Sequence, residues 1–448
     1  MTNKADALPS RVARRIADHT VPPTLPSPIA MSSGSTPDAV AVTVDPSPID
    51  ALCLACESAS CDFSVRPMQR RPLGDEDVLV DMRYCGVCHS DLHTAAGHMA
   101  GVTGPVQYPM VPGHELAGVV AAIGSKVTRF AIGDRVGVGC MVDACLECAR
   151  CLEGEEQKCK RGNVGTYGGK DKHGRAAQVP AGRQTLGGYT KTFVVHERFG
   201  VRIPPEFPLE AAGPVMCAGV TMYDPMRVAK VGPGSKVGIV GLGGLGQMGV
   251  KIAKALGCEV TVVSSVATKR DFAESCGADH FIHSEDAESM RAAGGRLDLL
   301  LNTVPVYHDY VRYRPLLRRR GGKQVILGLH TGLGGAMLVG NVFGSRSSLA
   351  ASGIGGVAAT QEVMDLCAKH NITPDLEIVA ATDMHRVYQA LDDGNDSGRR
   401  FVLDAATIEN AAGRDLGPPP NLAEPKKKMS VIRVVGEFLR LLVCGHWR

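Results

Sequence analysis

From residue 49 the chain sets short apolar, β-branched runs between glycine and proline breaks, a pattern that predicts strands. One strand is expected over 77–82, with others over 116–123, 133–138 and 192–195, making a β-rich domain. Helical character appears over 209–223, around Cys217. At Ser235 the texture changes. An apolar run over 236–240 predicts a buried strand, and Gly241, Leu242, Gly243, Gly244, Leu245 and Gly246 follow at once. A helix over 247–256 closed by Gly257 and a second strand over 259–263 complete the unit. Beyond it come a strand over 298–302, a helix over 310–319 interrupted by Pro315, a strand over 324–329, and a helix over 361–370 closed by Asn371. This alternation predicts a doubly wound parallel sheet, with the packed part ending near Asp404.

Some segments break the pattern. Between Lys160 and Tyr189 the glycine-rich, charged composition predicts a long surface loop. Arg318, Arg319 and Arg320 read as a solvated helix end. After the prolines at 418–420 and the lysines at 426–428, apolar positions 431–442 interleaved with Arg433 and Arg440 suggest a basic amphipathic helix. It suits an anionic membrane or a partner groove; an appended helix without function is the plainer alternative. Residues 1–45 read as a disordered tail. Their early arginines and serines also fit an organelle transit peptide, against which Asp6, Asp18 and Asp38 count.

Length and composition narrow the classes. At 448 residues the chain exceeds the roughly 250–300 at which a single core stops growing, so two domains are expected. Aromatics are 4% and the net charge is +3, which argues against a nucleic-acid partner. No run reaches the roughly 18 apolar residues of a membrane span, and no signal-peptide core is present, so a cytoplasmic location is expected.

Candidate chemistry gathers in three places. Within residues 86–93 stand Cys88, His89, Ser90, Asp91 and His93, a density that suggests metal ligation or proton transfer. Cys145, Cys148, Cys151 and Cys159 have the spacing of a closed four-thiolate zinc shell, which leaves no place for substrate. The glycine turn between strand and helix predicts a dinucleotide site. There Gly241 makes the turn, Gly243 admits the pyrophosphate and Gly246 allows close packing. Where an NAD site carries an acid at the end of the second strand, this chain has Ser264 and Ser265, with Lys269 and Arg270 beyond. Hydroxyls and cations suit a 2′-phosphate, so NADP(H) is expected over NAD(H).

These residues, with Gly113-His114-Glu115, Cys140, Asp143, residues 217–221 and residues 400–404, resemble the zinc-dependent medium-chain alcohol dehydrogenases, most closely the cinnamyl alcohol dehydrogenase-like branch. The resemblance runs from about Ala51 to Asp404. It implies a GroES-like β-barrel catalytic domain with an inserted Rossmann domain: an extension over 1–48, catalytic part 49–217, Rossmann domain 218–354, catalytic return 355–404 and an extension over 405–448. It makes Cys88, His114 and Cys217 the catalytic zinc ligands, with Glu115 near enough to exchange with the bound water and Cys85 and His89 left out. Asp91 is implied behind His114 to fix its tautomer. Ser90 and His93 are implied as a proton relay, with His93 near solvent and, if unperturbed, titrating near neutrality. Cofactor contacts carry over to Ser90, Thr221, the glycine turn, Ser264, Ser265, Lys269, Thr303, Gly328, Ser352, Gly353 and Ile354. Two zinc ions per chain, an alcohol or aldehyde substrate of cinnamyl or broad aromatic and aliphatic kind, and a homodimer are expected. The competing readings are a polyol or secondary-alcohol dehydrogenase and a non-enzymatic NADP-binding scaffold. The four-cysteine lobe and the missing acid argue against the first, the intact ligand set against the second.

Overall fold

The strand Asp77–Val87 is the axis of the β-rich half. One edge pairs along Leu116–Ile123; the other pairs first with Thr192–His196 and then, past Asp81, with Arg400–Asp404. The sheet runs Leu376–Val379, Arg400–Asp404, Asp77–Val87, Leu116–Ile123, Arg135–Val138, Gly200–Arg202, and every pairing after the first is antiparallel. The hairpin Ile49–Cys56 and Phe63–Arg70 packs into the same core. This computed structural model describes residues 46–100, 104–177, 179–306, 308–328, 346–394 and 398–422. The expected N-terminal tail, up to residue 45, and the basic C-terminal helix lie outside the described residues.

The second sheet has six parallel strands in the order His280–His283, Glu259–Ser264, Lys236–Val240, Leu299–Asn302, Arg320–Ile326, Arg346–Ala351. Both its faces are covered, which explains why its inner strands read as unbroken apolar runs. Val237, Ile239, Leu299 and Leu301 point into one core, while Val240 and Leu300 point into the other. Strand order reverses between Lys236–Val240 and Leu299–Asn302, the place where such sheets open a crevice at their carboxyl ends.

Several elements depart from the sequence reading. The helix expected over 247–256 starts inside the glycine turn, as Gly244–Ala255. The helical stretch expected over 209–223 continues to Ala229 and contains a π turn, Val215–Gly219, that carries Cys217. Instead of an α-helix over 310–319 there is a 3-10 helix, Val311–Leu316, with Pro315 inside it. The arginine run is therefore no helix end: Arg320 opens a strand, and Arg318 pairs with Asp298 at 2.6 Å. The segment 160–189 is a surface loop only in part: Lys170, Asp171, Lys172, Pro180, Ala181 and Gly182 are exposed, but its two ends turn inward. Thr166, Gln184, Thr185, Leu186 and Tyr189 are buried, and Tyr189 is fully covered. Packing also continues past Asp404, where the helix Thr407–Ala411 buries Ile408 and Ala411. Among the described residues no helix is long and apolar enough to cross a membrane.

Candidate catalytic metal centre and cofactor cleft

The strand Asp77–Val87 ends by delivering Cys88 as the N-cap of the short helix His89–Ala95. Asp91, three residues on, turns back and accepts the Cys88 amide at 2.9 Å. Its carboxylate, wholly buried, also accepts from the Gly113 amide at 3.2 Å, the Tyr189 hydroxyl at 3.0 Å and His114 Nδ1 at 2.8 Å. A buried carboxylate needs such donors. The consequence falls on His114: Nδ1 is committed to Asp91, and Nε2 faces Cys217 Sγ at 3.2 Å.

Donor atoms of Cys88, His114, Glu115 and Cys217 all lie within 4.8 Å of one another, and all four residues are buried. Two thiols, an imidazole and a carboxylate converging in a dry pocket are a donor set that fits zinc. Glu115 is also paired with the Arg400 guanidinium. Burial pushes its carboxyl up to about 7 even against that cation. Gly86 exists for this carboxylate: a Cβ there would stand 2.1 Å from Glu115 Oε2. Cys85 stays apart, its thiol fully covered and facing the Gly86 carbonyl at 3.7 Å.

The second donor set has thiol sulfurs at metal-shell spacing. Cys145 and Cys148 lie 3.8 and 3.6 Å from Cys151. A tetrahedral zinc with bonds of about 2.3 Å sets its sulfurs about 3.8 Å apart. None of the described cysteines is in a disulfide. Backbone amides near Lys160 and Cys151 bring the Cys148 thiol down to about 6, toward the thiolate a metal requires. The lobe is tied to the rest by Glu156, whose buried carboxylate accepts the Val357 amide at 3.0 Å. Thus it braces the start of the helix Val357–Lys369, just after Ile354 on the cleft wall.

The cleft, of roughly 540 Å³, runs from the first donor set to the glycine turn. Cys88, His114 and Cys217 line it together with Gly241, Leu242, Gly243, Gly244, Leu245, Lys269, Thr303 and Gly328, and Ser90, His93, Thr221, Gly353 and Ile354 share the same wall. Gly243 leaves a cradle, since a Cβ there would meet nothing within 4 Å, and the helix Gly244–Ala255 begins beside it. Amides at a helix start favour a phosphate. Gly246 serves packing, because a Cβ would stand 2.2 Å from the Gly241 carbonyl. The residues present therefore fit a dinucleotide.

Other expected contacts stand off this wall. Ser264 is buried with its hydroxyl accepting the Val266 amide at 3.1 Å, and Ser265 is exposed. Ser352 is likewise outside the cleft lining. Arg270 lies over the Phe281 ring at 4.8 Å, leaving Lys269, bonded to the Leu242 carbonyl at 3.2 Å, as the cation on the cleft side. His93 is half-buried rather than open to solvent. Burial, with the neighbouring His89 and His98, holds it down to about 4 instead of near neutrality.

Some site residues carried no local signal. Tyr167, from the supposed surface loop, places its ring 5.5 Å from that of His114 and lines the cleft, as do Cys140 and Arg400. Residues 400–404 had been singled out as a motif, without the pairing of Arg400 to Glu115.

The chain matches the family description "Alcohol dehydrogenase GroES-like domain" over residues 74–205 and "Zinc-binding dehydrogenase" over residues 244–369. It is 41% identical over 355 residues to a probable formaldehyde dehydrogenase of Bacillus subtilis (strain 168), covering 79% of this chain and 97% of that protein. It is also 41% identical to an NADP-dependent alcohol dehydrogenase of Mycolicibacterium smegmatis (strain ATCC 700084 / mc(2)155), covering 80% and 98% respectively. Among solved structures it resembles a cinnamyl alcohol dehydrogenase of Sorghum bicolor, with TM-score 0.73 and 38% identity over 83% of this chain and all of that one.

Proposed function

The chain belongs to the zinc-containing medium-chain alcohol dehydrogenases, and from that premise we propose that it interconverts primary alcohols and aldehydes of aromatic or aliphatic kind with NADP(H). One observation carries the reading: the buried Cys88, His114, Glu115 and Cys217 set stands at a cleft that the glycine turn also lines. Substrate oxygen and nicotinamide can then meet in one pocket.

When bound, zinc stabilises an alkoxide or polarises a carbonyl, and NADP(H) carries the hydride. Cys88, His114 and Cys217 would hold the catalytic ion, and Cys145, Cys148, Cys151 and Cys159 a structural one. Asp91 keeps His114 in the tautomer whose Nε2 is free for the metal. The glycine turn cradles the pyrophosphate, and Lys269 with the Ser264 and Ser265 backbone end favours a 2′-phosphate. Ser90 positions the substrate hydroxyl, and His93 takes its proton onward; both line the cleft. Met99, Leu391 and Phe401 supply an apolar wall for an aliphatic or aromatic chain.

The test is NADPH consumption by zinc-loaded protein with cinnamaldehyde, benzaldehyde and short aliphatic aldehydes, with and without chelator. Turnover that chelation abolishes is expected. No turnover on any aldehyde would overturn the proposal.

A further inference from the structure

Three histidines, His89, His93 and His98, follow one another along the helix His89–Ala95 and the turn after it, with ring centroids 5.9 and 5.5 Å apart. The metal centre uses none of them as a ligand. Between the last two the geometry is specific: His93 Nδ1 lies 3.2 Å from His98 Nδ1. Two nitrogens bound to one tetrahedral zinc at about 2.0–2.1 Å stand about 3.3 Å apart, so the pair already has a metal's bite. Both rings are held toward the neutral form by burial, which leaves a lone pair for a cation at neutral pH. The helix Met384–Asp392 lies alongside, and the negative charge of Asp392 acts on both rings. His93 is on the cleft wall; His98 is not. A cation between them would stand at the cleft's rim.

We propose that His93 and His98 form an additional, inhibitory site for a divalent transition cation, with Asp392 supplying counter-charge. Softness and geometry select the class: two imidazoles suit zinc, copper or nickel and discriminate against magnesium and calcium. Occupation takes the Nδ1 lone pair of His93 and ties down its ring, so the imidazole can no longer swing to pass a proton. That inhibitory consequence rests on the relay role proposed for His93; the binding itself does not.

The experiment is equilibrium dialysis of the zinc-loaded holoenzyme against rising free Zn2+, with metal content and turnover measured on the same samples. Wild-type protein is expected to take up one zinc beyond the two cysteine-containing sets, with turnover falling in step. His98→Gln and His93→Gln should each lose that extra equivalent, with affinity reduced on the order of tenfold or more, the scale on which even a ligand's outer partner is felt. Magnesium should neither bind nor inhibit. Saturation of the wild type without an extra equivalent, or an extra equivalent that survives His98→Gln, would overturn the site. Uptake that depends on His98 without loss of turnover would overturn the inhibitory role and count against the relay, while aldehyde reduction itself stands or falls on the chelator test.

Discussion

The Arg400 guanidinium pairs with the wholly buried carboxylate of Glu115, which belongs to the metal donor set, while a Cβ on Gly244 of the glycine turn would come within 3.1 Å of the same arginine. One side chain thus touches the metal donor set and the glycine turn. Removing one member of a buried pair strands the other and costs about 3–5 kcal/mol. Arg400→Met is accordingly expected to lower stability by about that much, seen as a reduced Tm, and to raise KM for NADPH more than it lowers kcat. An unchanged Tm would mean that the pair is not sealed from water.

Gly86 offers a stricter probe of the same carboxylate. An added methyl would overlap Glu115 Oε2 at 2.1 Å and Glu115 Cβ at 2.9 Å. Gly86→Ala should cost roughly 1–3 kcal/mol, the usual scale of overpacking, and weaken metal retention at Cys88, His114 and Cys217. Metal analysis after dialysis reads the second effect. Full occupancy with unaltered stability would show that Glu115 simply moves aside.

Which of these features were legible beforehand follows from sequence distance. Gly241 to Gly246 and the four cysteines at 145–159 are local signals, because turn geometry and tetrahedral closure are set within a few residues. The link of Arg400 to Glu115 spans 285 positions and leaves no local trace. Within the 160–189 stretch, whose middle is exposed as expected, the end over 184–189 misled for another reason. Glycine and charge usually mark a surface loop, yet here Gly187 and Gly188 let the chain run against Pro112, Gly113 and Leu116, where a side chain would clash, and so bring Tyr189 to Asp91. His93 lines the cleft, and burial takes it away from the near-neutral value of an unperturbed imidazole, a shift that cannot be read from the residue type.

The four-cysteine lobe makes a separate prediction. If its metal supplies local folding energy on the order of 10 kcal/mol, as in zinc-finger peptides, Cys148→Ser should open residues 145–159 to protease. The loss should spread through Glu156 to the Val357 amide, loosening the helix that follows the cleft wall. The expected result is a lower Tm and weaker NADPH binding, with the catalytic ion retained. A lobe that stays protease-resistant without its metal would refute the structural role.

Cofactor choice can be tested at the end of the strand Glu259–Ser264. A carboxylate at position 264 could accept the Val266 amide as the serine hydroxyl does now, so the turn should survive. It would also put a negative charge at the end of that strand, where an NAD site carries its acid, and repel a 2′-phosphate held nearby. Ser264→Asp should therefore shift the ratio of kcat/KM for NADPH over NADH toward NADH, by roughly tenfold for each 1.4 kcal/mol of repulsion. A ratio that does not move would locate phosphate recognition elsewhere, with Lys269 the next residue to change.

His93 ties the proton relay to an observable acid limit. Its folded-state value of about 4 lies below the ordinary 6.5, through burial first and the charges of His89 and His98 next. A depressed value means that the folded chain binds fewer protons than the unfolded one between those limits. Stability linked to His93 is therefore complete above pH 6.5 and lost as pH falls from there toward 4. Relative to His93→Gln, the wild type should lose stability across that window and not above it, as denaturant melts at pH 7 and pH 5 would show. The same shift bears on catalysis. An imidazole that disfavours its own protonation hands a proton on rather than storing it, and positive charge from a bound zinc acts in the same direction. Alcohol oxidation by the wild type should show no limb near 6.5 from this residue, while His93→Ala slows the pH 7 rate by roughly tenfold or more. A wild-type limb at 6.5 that vanishes in His93→Ala would place the imidazole in water, and an unaltered rate would reduce it to a cap on its own helix.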